Sequence, residues 1–212
     1  MILKPSIKNI IFDLGRVLLN LDYSLTTAAF QNISTAFVPF DPVYSDIRDK
    51  GLFEDFEIGV LSPEQFRDGL RTLLKSDAGD EALDKAWNAM LLDFPEKRLR
   101  LLERLKKEYR IFLLSNTNEI HLLAVSDIIF RSFGRRDLSH VFEKEYFSNR
   151  IGMRKPDKKI FEFVLSDNKL DPAETFFIDD SPQHITGAST LGIETYLLKI
   201  GEDIADRFAL GN

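Results

Sequence analysis

The sequence of 212 residues contains no cysteine, which removes several chemistries at once. Disulfide bonds, thiolate metal sites and cysteine nucleophiles are all excluded. Histidine is scarce as well, and its three copies, His121, His140 and His184, have no acidic or histidine neighbours at zinc-like spacing. We assign all three to packing or to the surface. A functional site in this chain must therefore be built from carboxylates, hydroxyls, amides and amines.

Excess positive charge and long apolar runs are also missing. The formal net charge of −6 argues against a nucleic-acid partner, because binding to a phosphate backbone relies on clustered lysine and arginine. The locally basic stretch 97–107 has leucines at helical spacing and is interpreted as a core-facing helix. No stretch approaches the roughly 20 apolar residues of a membrane span, and Asp13 and Arg16 interrupt the only apolar run near the amino terminus. We expect a cytoplasmic protein with no membrane partner.

The remaining composition is that of an ordinary globular protein, with 44% hydrophobic and 29% charged residues. Short apolar runs with strand character occur at residues 7–12, 109–114, near 146, 175–178 and 195–198. Helical spacing occurs between them at 120–130, 158–165 and 185–191. Such alternation requires crossover connections and a parallel sheet. It predicts an α/β fold with a Rossmann-like parallel sheet core.

Residues 21–94 carry no parallel-strand pattern and interrupt this alternation. Apolar residues follow helical spacing at 23–34, 43–50 and 80–91, and Ser62-Pro63-Glu64-Gln65 has the form of a capping box at a helix start. We therefore predict an inserted helical cap domain over residues 21–94. The α/β core would consist of residues 1–20 and 95–212.

Four short segments place polar groups at strand ends or in loops of this core. Asp13 follows the first strand, Ser115 follows the second, and Asp179 and Asp180 follow a later one. In open α/β sheets such strand ends meet at the edge where ligands bind. A Lys-Pro pair precedes a helical stretch between the last two strands. The segments are Phe12-Asp13-Leu14-Gly15-Arg16-Val17, Leu114-Ser115-Asn116-Thr117, Met153-Arg154-Lys155-Pro156 and Ile178-Asp179-Asp180-Ser181, and together they predict a magnesium-dependent aspartyl phosphotransferase site.

This pattern resembles the haloacid dehalogenase-like (HAD) hydrolase superfamily over nearly the whole chain. Within it, the chain is most similar to the capped sugar-phosphatase-like branch whose first motif contains Asp-Leu-Gly. The resemblance implies a phosphatase of small phosphate esters, in which Asp13 attacks phosphorus and carries a phosphoaspartyl intermediate. The groups that would hold and neutralise the phosphoryl oxygens are Leu14, Gly15, Ser115, the amide of Asn116, and Lys155.

The same resemblance implies a Mg²⁺ site. Magnesium takes about six oxygen ligands and keeps several waters. The ligands would be Asp13, the carbonyl of Gly15 and Asp180, with Asp179 close behind or acting through water. With the cation and Lys155 nearby, Asp13 is expected to be ionised at neutral pH. The oligomeric state is left open.

Gly15 departs from the family pattern, since most members have at this position an aspartate that protonates the leaving group. Acid–base help of this kind is worth about 10² to 10⁴ in rate. Three alternatives follow. The substrate has an acidic leaving group, as in an anomeric sugar phosphate or an acyl phosphate, and this is the alternative that we favour. Otherwise another acid takes over, with Asp22, Glu54 and Glu57 as candidates, or turnover is lost and the protein is a phosphate-binding regulator.

A metal-independent 2-haloacid dehalogenase would share the fold and the nucleophile. Asp179 and Asp180 argue against it, because such an enzyme needs no metal-binding acid pair. Arg16 either adds a positive group near the phosphate or points to the surface, and the sequence does not decide between the two.

Overall fold

A computed structural model describes residues 3–35 and 50–209 of the chain. Within these residues a parallel sheet lies at the centre, with the strand order β3-β2-β1-β4-β5. The predicted α/β fold with a Rossmann-like core is confirmed, and the strand ends differ from the predicted ones by one or two residues. The strands are β1 (Asn9–Phe12), β2 (Arg110–Ser115), β3 (Lys144–Phe147), β4 (Thr175–Asp179) and β5 (Glu194–Leu197).

The central strand β1 is buried on both faces because helices cover the sheet on each side. Its side chains alternate between two apolar clusters: Ile10 and Phe12 belong to one, and Ile11 belongs to the other. β2 and β4 divide their side chains between the same two clusters. A strand buried on both faces has a continuous apolar sequence, which is why these three strands were readable from short hydrophobic runs.

The helices of the α/β part follow or precede these strands as the alternation requires. The basic stretch packs as expected, with Leu99 and Leu102 buried in the core. No helix in residues 3–35 and 50–209 combines the length and apolar character needed to cross a bilayer. The helices are α5 (Glu96–Leu105), α6 (Glu119–Phe133), α7 (Ser148–Ile151), α8 (Lys158–Asn168), α9 (Pro182–Ser189) and α10 (Ile204–Ala209).

The described part of residues 21–94 contains four helices joined by turns and loops, and an isolated β-bridge pairs Leu21 with Leu91. The capping box is present: Ser62 Oγ accepts from the Gln65 N–H at 3.2 Å, and Gln65 Oε1 accepts from the Ser62 N–H at 2.9 Å. The predicted helix at 80–91 ends earlier, at Trp87, and continues as a 3₁₀ turn over Asn88–Met90. The helix predicted at 43–50 lies outside the described residues except for its last position. The helices are α1 (Tyr23–Ile33), α2 (Lys50–Glu57), α3 (Pro63–Leu74) and α4 (Asp80–Trp87).

These four helices bury an aromatic cluster that is separate from the two clusters of the sheet. Phe30 stacks on Trp87 at 6.0 Å, and Phe56 stacks on Phe66 at 4.1 Å between ring centroids. Aromatic pairs of this kind add to the stability that burial alone provides. The four helices thus have an apolar cluster of their own, and the division into a cap over residues 21–94 and an α/β core stays a prediction.

Candidate active site

Three of the predicted site residues lie at the carboxyl ends of adjacent strands. β1 runs between β2 and β4 in parallel register. Asp13 directly follows β1, and its backbone N–H donates to the Ile178 carbonyl at 2.9 Å. Ser115 is the last residue of β2, and Asp179 is the last residue of β4. The sheet therefore brings these polar side chains to one edge.

Lys155 joins two of these strand ends. Its ammonium group is fully buried and lies 2.6 Å from Asp13 Oδ1, 2.7 Å from Asp179 Oδ2 and 2.9 Å from the Leu114 carbonyl. All three ammonium hydrogens are thereby used. The side chain of Asn116 fixes the lysine backbone, accepting from its N–H and donating to its carbonyl, both at 2.9 Å. To neutralise a phosphoryl group directly, the Lys155 ammonium group would have to exchange one of these partners for a phosphoryl oxygen. This role of Lys155 stays a prediction.

The carboxylates of Asp13, Asp179 and Asp180 form a compact group, with one oxygen of each within 4.8 Å of the others. Asp179 is held by further contacts. Its Oδ1 accepts from the Ser181 N–H at 2.8 Å, and His184 Nδ1 lies 3.0 Å from both of its oxygens. Such an oxygen-only set suits a hard divalent cation. The assignment of Asp13 and Asp180 as direct ligands of the cation, with Asp179 close behind, stays a prediction.

Arg16 lies at the rim of this carboxylate group. Its backbone has a φ of +58°, a left-handed conformation that residues other than glycine rarely adopt. The guanidinium lies 5.0 Å from the centre of the Tyr23 ring, and Nη1 is 3.6 Å from Asp180 Oδ2. Of the two alternatives for Arg16, the structure places the side chain toward the site.

The surroundings of Asp13 act on its pKa in both directions. Burial raises the pKa of Asp13 above its ordinary value against the opposing pull of Lys155, and the Asp179 charge adds to the rise. Burial also acts to raise the pKa of Asp179, but Lys155 and His184 outweigh it and lower the value. Lys155 keeps a raised pKa despite burial, because two carboxylates face it. Lys155 alone does not outweigh the burial of Asp13, and the expectation that Asp13 is ionised beside Lys155 and a cation stays a prediction.

A cavity of about 110 Å³ lies between the strand ends and the cap helices. The predicted phosphate-binding residues Leu14, Ser115 and Asn116 line it on the sheet side. Gly15 lines it too, and its carbonyl accepts a hydrogen bond from the Val17 N–H at 2.7 Å, so its role as a metal ligand stays a prediction. From the cap side and α6, the lining residues include Tyr23, Glu57, Trp87 and His121.

The sequence model of the haloacid dehalogenase-like hydrolases matches residues 7–192. The chain belongs to this family. Among HAD proteins, the D-ribitol-5-phosphate phosphatase of Bacteroides thetaiotaomicron is 32% identical over 197 residues, which cover 93% of this chain and 94% of the relative. The predicted family is thus confirmed, whereas the assignment to a branch by its Asp-Leu-Gly motif stays a prediction.

Solved HAD structures have the same fold as this chain over nearly its whole length. A HAD family enzyme from Bacteroides thetaiotaomicron, crystallised with magnesium and inorganic phosphate, superposes with a TM-score of 0.84 at 40% identity, covering 95% of this chain and 99% of that one. A predicted HAD-like hydrolase from Porphyromonas gingivalis has a TM-score of 0.83 at 32% identity, covering 97% and 98%.

Two features of this HAD site were missed in the sequence. His184 was assigned to packing or the surface, but it contacts Asp179. Its signal was the helix start at Pro182, which places residue 184 in the first turn of α9, just beyond the end of β4. The second feature joins the cap to the core: Arg154 Nη2 lies 3.0 Å from Glu57 Oε2, and its Nη1 lies 2.9 Å from Glu54 Oε1. No local pattern indicates a contact between segments so far apart in the chain.

His121, which also lines the cavity, is expected to make the stability of the protein depend on pH. It stacks on Trp87 with ring centroids 4.6 Å apart, and its Nδ1 is 2.8 Å from Asn88 Oδ1. Burial lowers its pKa to about 3. Below pH 6.5 this histidine therefore binds a proton in the unfolded chain but not in the native state. The free energy of unfolding falls as the pH falls. At pH 5 we expect a cost of about 2 kcal/mol from this residue.

The measurement is urea unfolding of wild type and His121→Gln between pH 7.5 and 5. The acidic groups of the chain contribute equally to both proteins, so their effects cancel in the difference. The free energy of unfolding of the variant should fall less steeply with acidification. Parallel curves would show that His121 does not titrate differently in the folded and unfolded states.

Proposed function

We propose that the protein is a Mg²⁺-dependent phosphatase of sugar or polyol phosphates that works through a phosphoaspartyl intermediate on Asp13. The observation that carries the proposal is the buried Lys155, whose ammonium group joins Asp13 to Asp179 beside Asp180. This arrangement supplies a nucleophile, a fixed positive charge and a set of oxygen ligands at one sheet edge. Phosphoryl transfer depends on positioning and charge neutralisation, which these groups can provide.

Each residue of the site has its own role in the proposed reaction. Asp13 supplies the attacking oxygen, and the ammonium group of Lys155 holds the Asp13 carboxylate in place. Ser115 donates its hydroxyl to a phosphoryl oxygen, and Asn116 keeps Lys155 in position while its second amide hydrogen stays available. Asp13, Asp180 and the Gly15 carbonyl would hold Mg²⁺. The chemistry that such an ion supplies is neutralisation of phosphoryl charge and alignment of the phosphorus with the nucleophile.

The cavity and the relatives support the proposed substrate class. A volume of about 110 Å³ suits the carbon chain of a small metabolite. Its wall combines Glu57, the Tyr23 ring and a His121 that burial keeps neutral, a mixture that suits a hydroxylated, uncharged carbon chain. A similar protein is named a D-ribitol-5-phosphate phosphatase, which makes D-ribitol 5-phosphate the first substrate to test.

The test is phosphate release from D-ribitol 5-phosphate and from a panel of sugar phosphates, with Mg²⁺ and with EDTA. We expect turnover that falls by about 10²-fold or more when the metal is removed, since a bound cation supplies several kcal/mol of charge stabilisation. Re-adding Mg²⁺ should restore it.

Two outcomes would favour the alternatives. Halide release from a 2-haloacid in the presence of EDTA would indicate a dehalogenase. Tight binding of beryllofluoride with Mg²⁺, together with no turnover of any ester, would indicate a phosphate-binding regulator.

A further inference from the structure

Glu57 is a carboxylate that the proposed reaction has not used, although it faces the same cavity as Gly15 and Ser115. We propose that Glu57 is the general acid and general base of this enzyme, taking the role that Gly15 cannot fill. The inference rests on the proposed phosphatase function. It is needed because D-ribitol 5-phosphate releases an ordinary alcohol, which leaves poorly unless it is protonated.

The position of Glu57 fits this role. It is the last residue of α2, at the cap side of the cavity. Its Oε2 is buried and lies 3.0 Å from Arg154 Nη2 in an ion pair, yet without the alignment of a hydrogen bond. Arg154 precedes Lys155, which contacts Asp13. Glu57 is thus paired with the residue that directly precedes Lys155 in the chain, and Lys155 holds the nucleophile Asp13.

The protonation state of Glu57 is also suitable. The charged groups that face it are Arg154, Glu54 and Lys155. Burial is the largest influence and raises the pKa of Glu57 above its ordinary value, against the opposing effect of the two cations. A raised pKa brings a carboxylic acid closer to the working pH, where proton donation and acceptance are both effective.

Other candidates for the acid are occupied or badly placed. Asp22 Oδ1 accepts from both the N–H and the hydroxyl of Ser24, at 2.9 and 2.5 Å, and caps α1. Glu54 is twice as exposed as Glu57, at 50% against 25% of the side chain, and is absent from the cavity wall. Burial raises the pKa of Tyr23 further above neutrality, so its hydroxyl is a poor proton donor.

Gly15 has no side chain that could serve as the acid. A Cβ atom at this position would lie 2.8 Å from Leu21 Cδ1, so a larger residue would need the Leu21 side chain to shift. Leu21 therefore fills the room that a larger residue at 15 would need. An acid for the leaving group has to come from the opposite wall, where Glu57 lies.

The proposed reaction has two chemical steps. An Asp13 oxygen bonds to phosphorus as the bond from phosphorus to the substrate oxygen breaks. That oxygen keeps the electron pair, takes the proton of Glu57 and leaves as an alcohol. Glu57, now a carboxylate, accepts a proton from water, whose oxygen bonds to phosphorus. The bond between phosphorus and Asp13 breaks, inorganic phosphate leaves, and Glu57 is protonated again.

The experiment compares Glu57→Gln with wild type on two esters that differ in leaving group. For D-ribitol 5-phosphate, kcat/KM should fall by about 10² to 10⁴-fold. For p-nitrophenyl phosphate, whose leaving group needs no proton, kcat/KM should change less than about threefold. With this second ester the variant should also show a burst of about one equivalent of p-nitrophenolate, because hydrolysis of the phosphoenzyme has lost its base.

The matched control is Glu54→Gln, which weakens the other half of the same Arg154 pairing and should leave both esters unaffected. Equal losses for the two esters, shared by Glu54→Gln, would show that the pairing only holds the cap, and this would overturn the proposal. So would unchanged kinetics of Glu57→Gln. If wild type and Asp13→Asn hydrolyse both esters equally, the proposed function itself fails.

Discussion

Asp13→Asn is expected to lower kcat for D-ribitol 5-phosphate by at least about 10⁴-fold, because the attacking oxygen becomes part of an uncharged amide. The substitution keeps the size of the side chain, and its oxygen can still accept from Lys155, 2.6 Å away in the wild type. The measurement is phosphate release with Mg²⁺, together with acid quenching to trap a phosphoenzyme, which only the wild type should form.

The loss should not come from unfolding. Burial raises the folded pKa of Asp13 to about 7, so native stability falls as pH rises from the ordinary value of 3.8 to about 7, and the full cost is present above that. Asparagine removes the cost. At pH 8 without Mg²⁺ the variant should unfold at a urea concentration equal to or above that of the wild type.

A neighbouring acid supplies the control for Asp13. Asp22→Asn keeps an effective N-cap on α1 and lies outside the site, so it should retain activity. Comparable turnover by Asp13→Asn and wild type would remove Asp13 as the nucleophile, and with it the phosphoaspartyl intermediate.

Much of the site was predictable because the sheet does the positioning. Buried parallel strands have continuous apolar sequences, so the ends of β1, β2 and β4 could be located to within one or two residues. The residues that follow these strands then had to share one edge of the sheet. That reasoning placed Asp13, Ser115 and Asp179 together, and the Lys-Pro motif added Lys155.

The rest of the site depends on contacts that no local pattern encodes. The pairing of Glu57 with Arg154 is set by how the cap docks on the core, and helical spacing carries no information about docking. His184 was judged by zinc-like spacing, although its actual partner is a carboxylate held by Lys155. The burial that raises the pKa of Asp13 could not be inferred either, because motifs indicate charged neighbours whereas burial depends on how the whole fold packs.

Lys155→Met should give the largest loss of stability. Methionine fills a similar volume, but it leaves Asp13 and Asp179 buried without their shared cation, and Asp179 is fully buried. Removing one partner from a buried ion pair costs about 3 to 5 kcal/mol. We expect the free energy of unfolding at pH 8 in EDTA to fall by that amount, and activity to be lost with it.

The pH dependence of this loss identifies its cause. Without Lys155, burial raises the folded pKa values of both carboxylates above their unfolded values, so the variant loses stability as pH rises from 5.5 to 8. Millimolar Mg²⁺ should recover part of the loss by offsetting the same charges. Lys159→Met, on the exposed side of α8, should show neither effect. A pH-independent loss that Mg²⁺ leaves unchanged would instead indicate poor packing of methionine, and the charge coupling between Lys155 and the two strand ends would be wrong.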